Sequence, residues 1–307
     1  MERVLFIYNP NAGKGALKNH LSDVLEIFRH AGFDTTVYPT LKPEDATNCV
    51  LERGTDYDRI ICSGGDGTLH EVVHGLMELK GLREMNSLLS DNSGRQPVCG
   101  YIPTGTVNDF ATGIRIPKRI LNAAEVAASD RHHAYDIGDL NGHYFTYVAA
   151  FGAFTSVSYE TPQATKNLLG KPAYILEGAL QLNTIKSSHV RVDADGEIWD
   201  NDCILGMVTN AKSVGGMNLY KRKKILLDDG YFDAIFVKEP KNPIELNLAI
   251  SFFLTGEESS QIHVMKGKKI TIDADTEIAY TLDGENGGTH KKAVITNHKQ
   301  AITFSVP

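Results

Sequence analysis

The segment that decides the fold of this chain is Cys62-Ser63-Gly64-Gly65-Asp66-Gly67-Thr68-Leu69-His70-Glu71-Val72-Val73-His74-Gly75. Residues 57–62, which lead into it, are rich in β-branched and apolar residues and predict a short strand. After it, Leu69, Val72 and Leu76 recur at helical spacing, so we expect a helix to begin near Thr68. Three glycines therefore lie in a turn between a strand and a helix, where backbone N–H groups and the positive end of the helix dipole point outward. Because glycine lets the backbone approach a phosphate closely, the segment predicts a phosphate-binding turn.

The same segment contains a competing zinc-site pattern. His70, Glu71 and His74 satisfy H-E-x-x-H, in which two imidazoles one helical turn apart bind zinc and the glutamate acts as a base. In zinc peptidases this motif lies in the body of a helix, and a third ligand follows downstream. Here it falls in the first turns after a glycine-rich loop, and no glycine-spaced third histidine follows. A zinc peptidase remains the rival hypothesis from another class of enzyme.

Composition indicates a globular protein of 307 residues, long enough for one large or two medium domains. The net charge of −7 argues against a general nucleic-acid binder, because affinity for a phosphate backbone needs a basic surface. The four cysteines are scattered, without any pair at metal spacing, which favours buried thiols in a reducing compartment. No apolar run has the length of a signal peptide or a membrane span, so we expect a cytoplasmic protein.

Strand and helix patterns alternate through the first part of the chain. The predicted strands are residues 3–8, 34–38, 57–62 and 98–102. Such alternation predicts a parallel sheet with helices on both faces. In these sheets ligands bind at the carboxyl ends of the strands, where three polar, glycine-containing loops are expected to converge. The loop at residues 9–15 is not a Walker A loop, because Gly15 stands where Ser or Thr should follow Lys14.

The pattern changes near residue 135 to short strands joined by Asn-Gly and Asp-Gly turns, which indicates antiparallel hairpins. Helical patterns interrupt them at residues 171–181 and 243–254. We therefore predict a second domain that is mainly β.

Four motifs, in this order along the chain, resemble one family. They are Tyr8-Asn9-Pro10-Asn11-Ala12-Gly13, Ser63-Gly64-Gly65-Asp66-Gly67-Thr68-Leu69-His70-Glu71-Val72-Val73, Pro103-Thr104-Gly105-Thr106-Val107-Asn108-Asp109-Phe110-Ala111 and Leu282-Asp283-Gly284-Glu285. Over nearly its whole length the chain resembles the diacylglycerol kinase catalytic-domain superfamily, specifically the soluble bacterial lipid kinases that are also similar to sphingosine kinases. The resemblance implies an ATP- and Mg²⁺-dependent kinase that phosphorylates a hydroxyl of diacylglycerol or a related lipid.

The resemblance also implies a fold of class α/β plus mainly β. A phosphofructokinase-like nucleotide domain with a parallel sheet is followed by a β-sandwich domain, and the active site lies in the cleft between them. We expect the nucleotide domain at residues 1–133 and the lipid-substrate domain at residues 134–293. Residues 294–307 are expected to pack back onto the first domain.

ATP contacts are implied by the same resemblance for the glycine turn and for neighbouring loops. These residues are Asn9, Thr40, Gly64, Gly65, Asp66, Gly67, Thr68, Leu69, His70, Glu71, Thr106 and Asn108. Asp66 is explained either by Mg²⁺ that bridges it to the nucleotide phosphates or by N-capping of the helix. For Asn108 and Asp109, catalysis and capping of the next helix both remain open.

Asp283 and Glu285 are the candidate catalytic residues. They flank a sharp glycine turn that is expected to project both carboxylates into the cleft. Transfer to an alcohol needs a base that accepts the hydroxyl proton, and the second carboxylate could orient the base or hold Mg²⁺. An ordinary Asp-Gly hairpin is the alternative, and which carboxylate takes the proton stays open.

A structural Mg²⁺ site is implied at a second acidic turn. Its ligands would be the Asp229 carboxylate and the main-chain oxygens of Leu226 and Tyr231, and oxygen ligands suit magnesium. A solvated turn is the alternative.

The basic run Lys221, Arg222, Lys223 and Lys224 is a candidate for peripheral contact with an anionic membrane, at about 1 kcal/mol per basic residue. A solvated loop explains it equally well. The apolar segments 151–154 and 248–254 line a lipid slot or belong to the core, and a homodimer is left open. Three rival functions are an NAD kinase, which shares the Gly-Gly-Asp-Gly-Thr turn, the zinc peptidase, and a sensor that binds ATP without turnover.

Overall fold

The computed structural model describes residues 1–87, 96–152, 187–211, 213–214, 217–218, 226–257 and 259–307. The predicted helix at 171–181, the basic run at 221–224 and residues 153–154 of the proposed lipid slot lie outside the described residues. The chain divides into two compact units. The first unit contains residues 1–137 and 300–307, and the second contains residues 138–299.

Strands and helices alternate in the first unit, as the sequence predicts. Its strands are β1 (Glu2–Tyr8), β2 (Phe33–Pro39), β3 (Arg59–Gly64), β4 (Val98–Pro103) and the start of β5 (His132–Leu140). Its helices are α1 (Leu21–His30), α2 (Asp45–Arg53), α3 (Asp66–Ser87), α4 (Asp109–Gly113) and α5 (Ile120–Ala127), with 3₁₀ segments at Ala12–Asn19 and Gly54–Asp56.

The sheet of the first unit is parallel and has the strand order β2-β1-β3-β4. The end of β15 (Glu285–Ser305) runs parallel to β4, with Phe304 opposite Cys99. Every residue of β3 and β4 is buried, as expected for a parallel sheet with both faces covered. In this register Tyr8 lies opposite Ser63, and Gly64 lies opposite Pro103. The loops that follow β1, β3 and β4 therefore emerge side by side at one edge of the sheet.

The second unit is mainly β, as the sequence predicts. Its further strands are β6 (His143–Phe145), β7 (Val148–Gly152), β8 (Ser188–Ala194), β9 (Glu197–Thr209), β10 (Ser213–Val214), β11 (Met217–Asn218), β12 (Phe232–Lys238), β13 (Ile262–Gly267), β14 (Lys269–Leu282) and most of β15. One described helix, α6 (Pro243–Thr255), follows β12, and the side chain of Asn242 caps it by accepting from the Ile244 and Glu245 N–H groups.

Two long antiparallel strands organise the second unit. β9 pairs with β8 through residues 197–203 and with β7 through residues 205–209. β14 likewise pairs with β8 through 270–274 and with β7 through 280–282. Each long strand therefore pairs first with β8 and then with β7 along its length, and buried side chains of these strands belong to one apolar core. The largest members of that core are Phe145, Phe151, Trp199, Phe232, Phe236 and Tyr280.

None of the helices in the described part of the chain combines the length and the hydropathy needed to cross a bilayer.

Candidate active site

The glycine turn after β3 is tightly packed against the start of α3. This helix begins at Asp66, two residues earlier than the apolar spacing predicts. A Cβ atom on Gly64 would collide with the side chain of Thr68, so no other residue fits at position 64. Leu69 is fully buried, and its N–H group donates to the Gly65 carbonyl oxygen. Leu69 therefore belongs to the core, and the structure gives it no polar group for the nucleotide contact that the resemblance implies.

A second turn, at residues 103–108, lies directly against the first one. The Thr104 N–H group donates to the Gly64 carbonyl oxygen at 2.8 Å. A Cβ atom on Gly105 would lie 2.5 Å from the Gly65 Cα atom, closer than real Cβ contacts. The two backbones are therefore in van der Waals contact, which glycine at position 105 alone permits. We call residues 64–66 the first turn and residues 103–108 the second turn.

Asn108 holds the second turn closed. Its Oδ1 atom accepts from the Gly105 N–H group at 3.1 Å, and its Nδ2 atom donates to the Gly105 carbonyl oxygen at 2.8 Å. Its own N–H group donates to the Asp66 Oδ2 atom at 3.0 Å. The Asn108 side chain therefore makes no capping bond to α4, contrary to one of the two expectations for it. Asp66 is the first residue of α3, and its carboxylate joins the start of this helix to the second turn.

Tyr101 lies on β4 beneath both turns, and sequence reasoning missed it. Its hydroxyl oxygen is 3.3 Å from the Gly64 carbonyl oxygen and 3.3 Å from the Asn108 Oδ1 atom. The residue is 1% exposed, and burial raises the pKa of its phenol well above the ordinary value. In an apolar strand a tyrosine is typical of the core, so the sequence contains no local signal for this role.

The loop after β1 also meets the second turn. Gly13, Lys14 and Gly15 have φ angles of 56°, 60° and 76°, which is a left-handed conformation uncommon for a residue such as Lys14. A Cβ atom on Gly13 would collide with the Thr104 carbonyl oxygen. The Asn9 Oδ1 atom accepts from the Asn11 N–H group at 2.9 Å and shapes the start of the loop.

Other candidate residues lie at the same edge of the sheet. The Thr40 N–H group and hydroxyl both donate to the Tyr8 carbonyl oxygen, at 2.9 and 3.4 Å. Gly67 and His70 are partly exposed on the first turns of α3, and Thr106 is exposed in the second turn. In the described part of the chain, the buried hydroxyls of Ser63 and Thr104 have no hydrogen-bond partner.

Glu71 has a different role from the two that the sequence suggests. Its Oε1 atom accepts from the Glu44 N–H group at 3.0 Å, and its Oε2 atom accepts from the Ala46 N–H group at 3.1 Å. These N–H groups lie at the amino end of α2, which Glu71 therefore caps from a neighbouring helix. The carboxylate is engaged there, so it is poorly placed to contact a nucleotide or to serve as the base of a zinc peptidase. The residues that the structure describes contain no cluster of three or more His, Cys, Asp or Glu side chains suited to a metal ion.

The Asp283-Gly284 turn separates the two candidate catalytic carboxylates. Asp283 and Gly284 have φ angles of 54° and 90°, which type I′ hairpin turns require. The Asp283 side chain is buried, and its Oδ2 atom accepts from the Thr146 N–H group at 2.6 Å and the Thr146 hydroxyl at 2.8 Å. Its Oδ1 atom accepts from the Tyr147 and Val148 N–H groups at 2.9 and 3.1 Å. Of the two carboxylates that the sequence places at this turn, Asp283 is therefore buried and fully engaged, whereas Glu285 is exposed.

The second acidic turn does not present a free carboxylate to a divalent cation. The Asp229 Oδ2 atom lies 2.8 Å from the Lys266 ammonium, and its Oδ1 atom accepts from the Tyr231 N–H group at 3.0 Å. The same ammonium is 5.1 Å from the centroid of the Tyr231 ring. The hydrogen bond to Asp229 raises the pKa of Lys266. A Mg²⁺ ion bound by Asp229, Leu226 and Tyr231 would have to displace this ammonium, so the residues as arranged do not fit the implied metal site.

Comparison with known proteins matches two parts of the chain to two family models. Residues 3–140 match the model of the diacylglycerol kinase catalytic domain, and residues 149–302 match the YegS C-terminal NAD kinase beta sandwich-like domain. A diacylglycerol kinase from Bacillus subtilis (strain 168) is 35% identical over 292 residues, which cover 94% of this chain and 91% of that protein. A diacylglycerol kinase from Staphylococcus haemolyticus (strain JCSC1435) is 37% identical over 307 residues, covering 98% of this chain and 87% of that protein.

Solved structures agree with these matches. The crystal structure of a diacylglycerol kinase from Bacillus anthracis str. Sterne superposes with a TM-score of 0.76 at 25% identity, covering 100% of this chain and 97% of that one. A second structure from the same organism gives a TM-score of 0.82 at 27% identity, covering 100% and 95% of the two chains. On the strength of both family matches and of relatives aligned over more than nine-tenths of its length, this chain belongs to the diacylglycerol kinase family.

Proposed function

We propose that this protein is a kinase that transfers the γ-phosphate of ATP to the hydroxyl group of diacylglycerol. Kinase family membership implies ATP as the donor, and the relatives named above support diacylglycerol as the acceptor. The observation that carries the proposal is the direct contact between the Gly65 and Gly105 backbones. Two glycine turns that meet at the carboxyl ends of parallel strands, next to the start of α3, form a surface of backbone N–H groups suited to phosphate.

The first and second turns bind the triphosphate in this proposal. N–H groups of Gly65 and Gly67 and the hydroxyl of Thr106 donate to phosphate oxygens. The buried hydroxyls of Ser63 and Thr104 support a ligand here, because buried hydroxyls normally have a hydrogen-bond partner. Asp66 would hold Mg²⁺, since this half-buried residue lies beside the same N–H groups and carboxylate oxygen suits magnesium. When bound, Mg²⁺ neutralises charge that develops on the phosphate oxygens.

Glu285 is the base in this proposal, and Asp283 positions it. The exposed Glu285 carboxylate accepts the proton of the acceptor hydroxyl as the oxygen bonds to the γ-phosphorus. The bond between that phosphorus and the β–γ bridging oxygen breaks, and ADP leaves with the electron pair. Asp283 accepts four hydrogen bonds from residues 146–148, so its carboxylate is committed to holding the turn that carries Glu285.

Transfer of labelled γ-phosphate from Mg-ATP in mixed micelles tests the proposal. The acceptors are diacylglycerol, monoacylglycerol, phosphatidylglycerol and sphingosine, with soluble NAD beside them, and the Glu285→Gln variant is the control. We expect label in diacylglycerol with the wild-type protein and almost none with the variant. Label in another lipid would identify that lipid as the acceptor, and label in NAD alone would identify the protein as an NAD kinase. ATP binding without any transfer would favour the sensor hypothesis.

A further inference from the structure

We propose that Tyr101 is a positioning residue for ATP, whose hydroxyl holds the first and second turns at the separation that the triphosphate requires. The inference rests on the proposed function, which assigns these turns to ATP. It adds a residue that lies in neither turn and that no motif of the chain includes.

The Tyr101 hydroxyl lies within reach of both turns. Tyr101 lies opposite Cys62 in the pairing of β4 with β3, so its ring starts from the strands that lead into the two turns. Its oxygen is 3.3 Å from an acceptor in each turn, Gly64 O and Asn108 Oδ1. A phenol has one proton to donate, and the equal distances indicate that this proton is shared between the turns. The hydroxyl therefore bridges them on the strand side of the Gly65–Gly105 contact.

Neither acceptor depends on Tyr101 for its hydrogen bond. The Gly64 carbonyl oxygen already accepts from the Thr104 N–H group at 2.8 Å. The Asn108 Oδ1 atom already accepts from the Gly105 N–H group at 3.1 Å. Removing the hydroxyl leaves no buried acceptor without a partner, so it carries a small penalty for folding. Removing the Tyr101 hydroxyl eliminates one hydrogen-bonded link between the two turns.

Tyrosine, and not phenylalanine, occupies position 101. At a site that is 1% exposed, a phenylalanine would fill the same volume without burying a hydroxyl. A buried tyrosine is favoured over phenylalanine where its O–H group forms a hydrogen bond. Two further hydrogen bonds join the turns, from the Thr104 N–H group to the Gly64 carbonyl oxygen and from the Asn108 N–H group to the Asp66 carboxylate. Together with the Tyr101 hydroxyl they keep the donors of both turns in place before ATP arrives, and pre-organised donors bind more tightly.

The test compares Tyr101→Phe with Tyr57→Phe. Tyr57 is a matched control because it belongs to the same unit, is half-buried, and precedes β3 at the opposite edge of the sheet, where its ring contacts Arg3. For Tyr101→Phe we expect the calorimetric dissociation constant and the KM of ATP to rise about 3- to 10-fold, the range expected for one hydrogen bond. The KM of diacylglycerol and the thermal midpoint should stay at wild-type values. Tyr57→Phe should leave all four quantities unchanged.

Each outcome decides the inference. An unchanged ATP dissociation constant in Tyr101→Phe overturns it, and so does a fall in thermal midpoint with wild-type ATP binding, which would make Tyr101 a purely structural residue. Equal rises in the KM of ATP and of diacylglycerol would also contradict it, because they indicate general loosening of the enzyme. If the wild-type protein binds ATP but transfers nothing, the proposed function fails while the binding constants still test Tyr101. If the wild-type protein does not bind ATP, both proposals fail together.

Discussion

Asp283 and Glu285 show how surroundings separate two residues of the same chemistry. Asp283 is 4% exposed and accepts four hydrogen bonds, whereas Glu285 is exposed on the far side of the turn. A carboxylate surrounded by donors is held in one orientation and serves poorly as a proton acceptor for a substrate. Neutral substitutions of the two residues should therefore have different effects on activity and on stability.

Glu285→Gln should lower kcat about 100-fold or more and leave the thermal midpoint unchanged, because it removes a general base from an exposed position. Asp283→Asn should lower the thermal midpoint as well as activity. Its amide NH₂ group would face N–H donors, at a cost of about 1–3 kcal/mol. Steady-state kinetics and thermal unfolding of both variants check this. A wild-type kcat for Glu285→Gln would exclude it as the base.

At the scale of elements, interactions between neighbours determine how helices and turns begin. α2 has no cap from its own N-cap residue, Glu44, which has a φ angle of 69°. Glu71 of α3 supplies the cap instead. The Asp229 turn is similarly stabilised from outside, by Lys266 on β13.

Glu71→Gln should reduce the free energy of unfolding by about 1 kcal/mol, the usual value of a helix cap, because one of its two bonds to N–H groups is lost. Urea denaturation measures the change. Glu26→Gln, on the exposed face of α1, is the matched control and should lie within about 0.5 kcal/mol of wild type. Added zinc should leave the free energy of unfolding of both variants unchanged. Chelator-sensitive hydrolysis of a peptide by the wild-type protein would contradict the cap assignment and would favour the zinc peptidase.

Lys266→Met should make the stability of the protein depend on Mg²⁺. In the wild-type protein the ammonium neutralises Asp229, so Mg²⁺ without nucleotide should leave the thermal midpoint unchanged. Without the ammonium, Asp229 becomes available, and a cation that binds only the folded state raises the midpoint. Lys292→Met removes the ion pair with Asp273 on another part of the second unit and is the control. An equal response of the wild-type protein and of Lys266→Met to Mg²⁺ would contradict this prediction.

At the scale of the molecule, Arg59 joins the beginning and the end of the chain within the first unit. Its guanidinium is 1% exposed and binds the Glu2 carboxylate at 2.8 Å, the Ala127 carbonyl oxygen at 2.7 Å and the Ser305 hydroxyl at 3.3 Å. It also lies 4.8 Å from the centroid of the Phe33 ring. The buried guanidinium group of Arg59 is tolerated because its contacts with these groups replace the hydration that it loses on folding.

Arg59→Met should lower the free energy of unfolding by about 3 kcal/mol, because it leaves the partly buried Glu2 carboxylate without its charged partner and removes the guanidinium bonds to Ala127 and Ser305. Chemical denaturation measures this loss. Arg3→Met is the matched control: Arg3 is exposed and its guanidinium contacts only the Tyr57 ring among the described contacts, so the change should stay within about 0.5 kcal/mol. Equal effects of the two variants would contradict the assignment.

Local sequence patterns predicted a large part of this molecule. Alternating strand and helix patterns predicted the parallel sheet, and Asn-Gly and Asp-Gly turns predicted the antiparallel second unit, because both signals come from residues close together in the chain. Glycines at positions 64, 65 and 105 likewise marked the two turns. The structure explains two of them, because a Cβ atom would collide with the Thr68 side chain at position 64 and with the Gly65 backbone at position 105.

Tertiary structure alone decided which polar groups are engaged. Asp283 is bound by residues more than 130 positions earlier in the chain, Glu71 by the amino end of α2, and Asp229 by Lys266. Tyr101 joins two turns that follow different strands. The sequence by itself determined the elements and the kind of chemistry, because periodicity and turn residues act locally. The role of each carboxylate and of Tyr101 depends on partners that only the packed fold brings within hydrogen-bond distance.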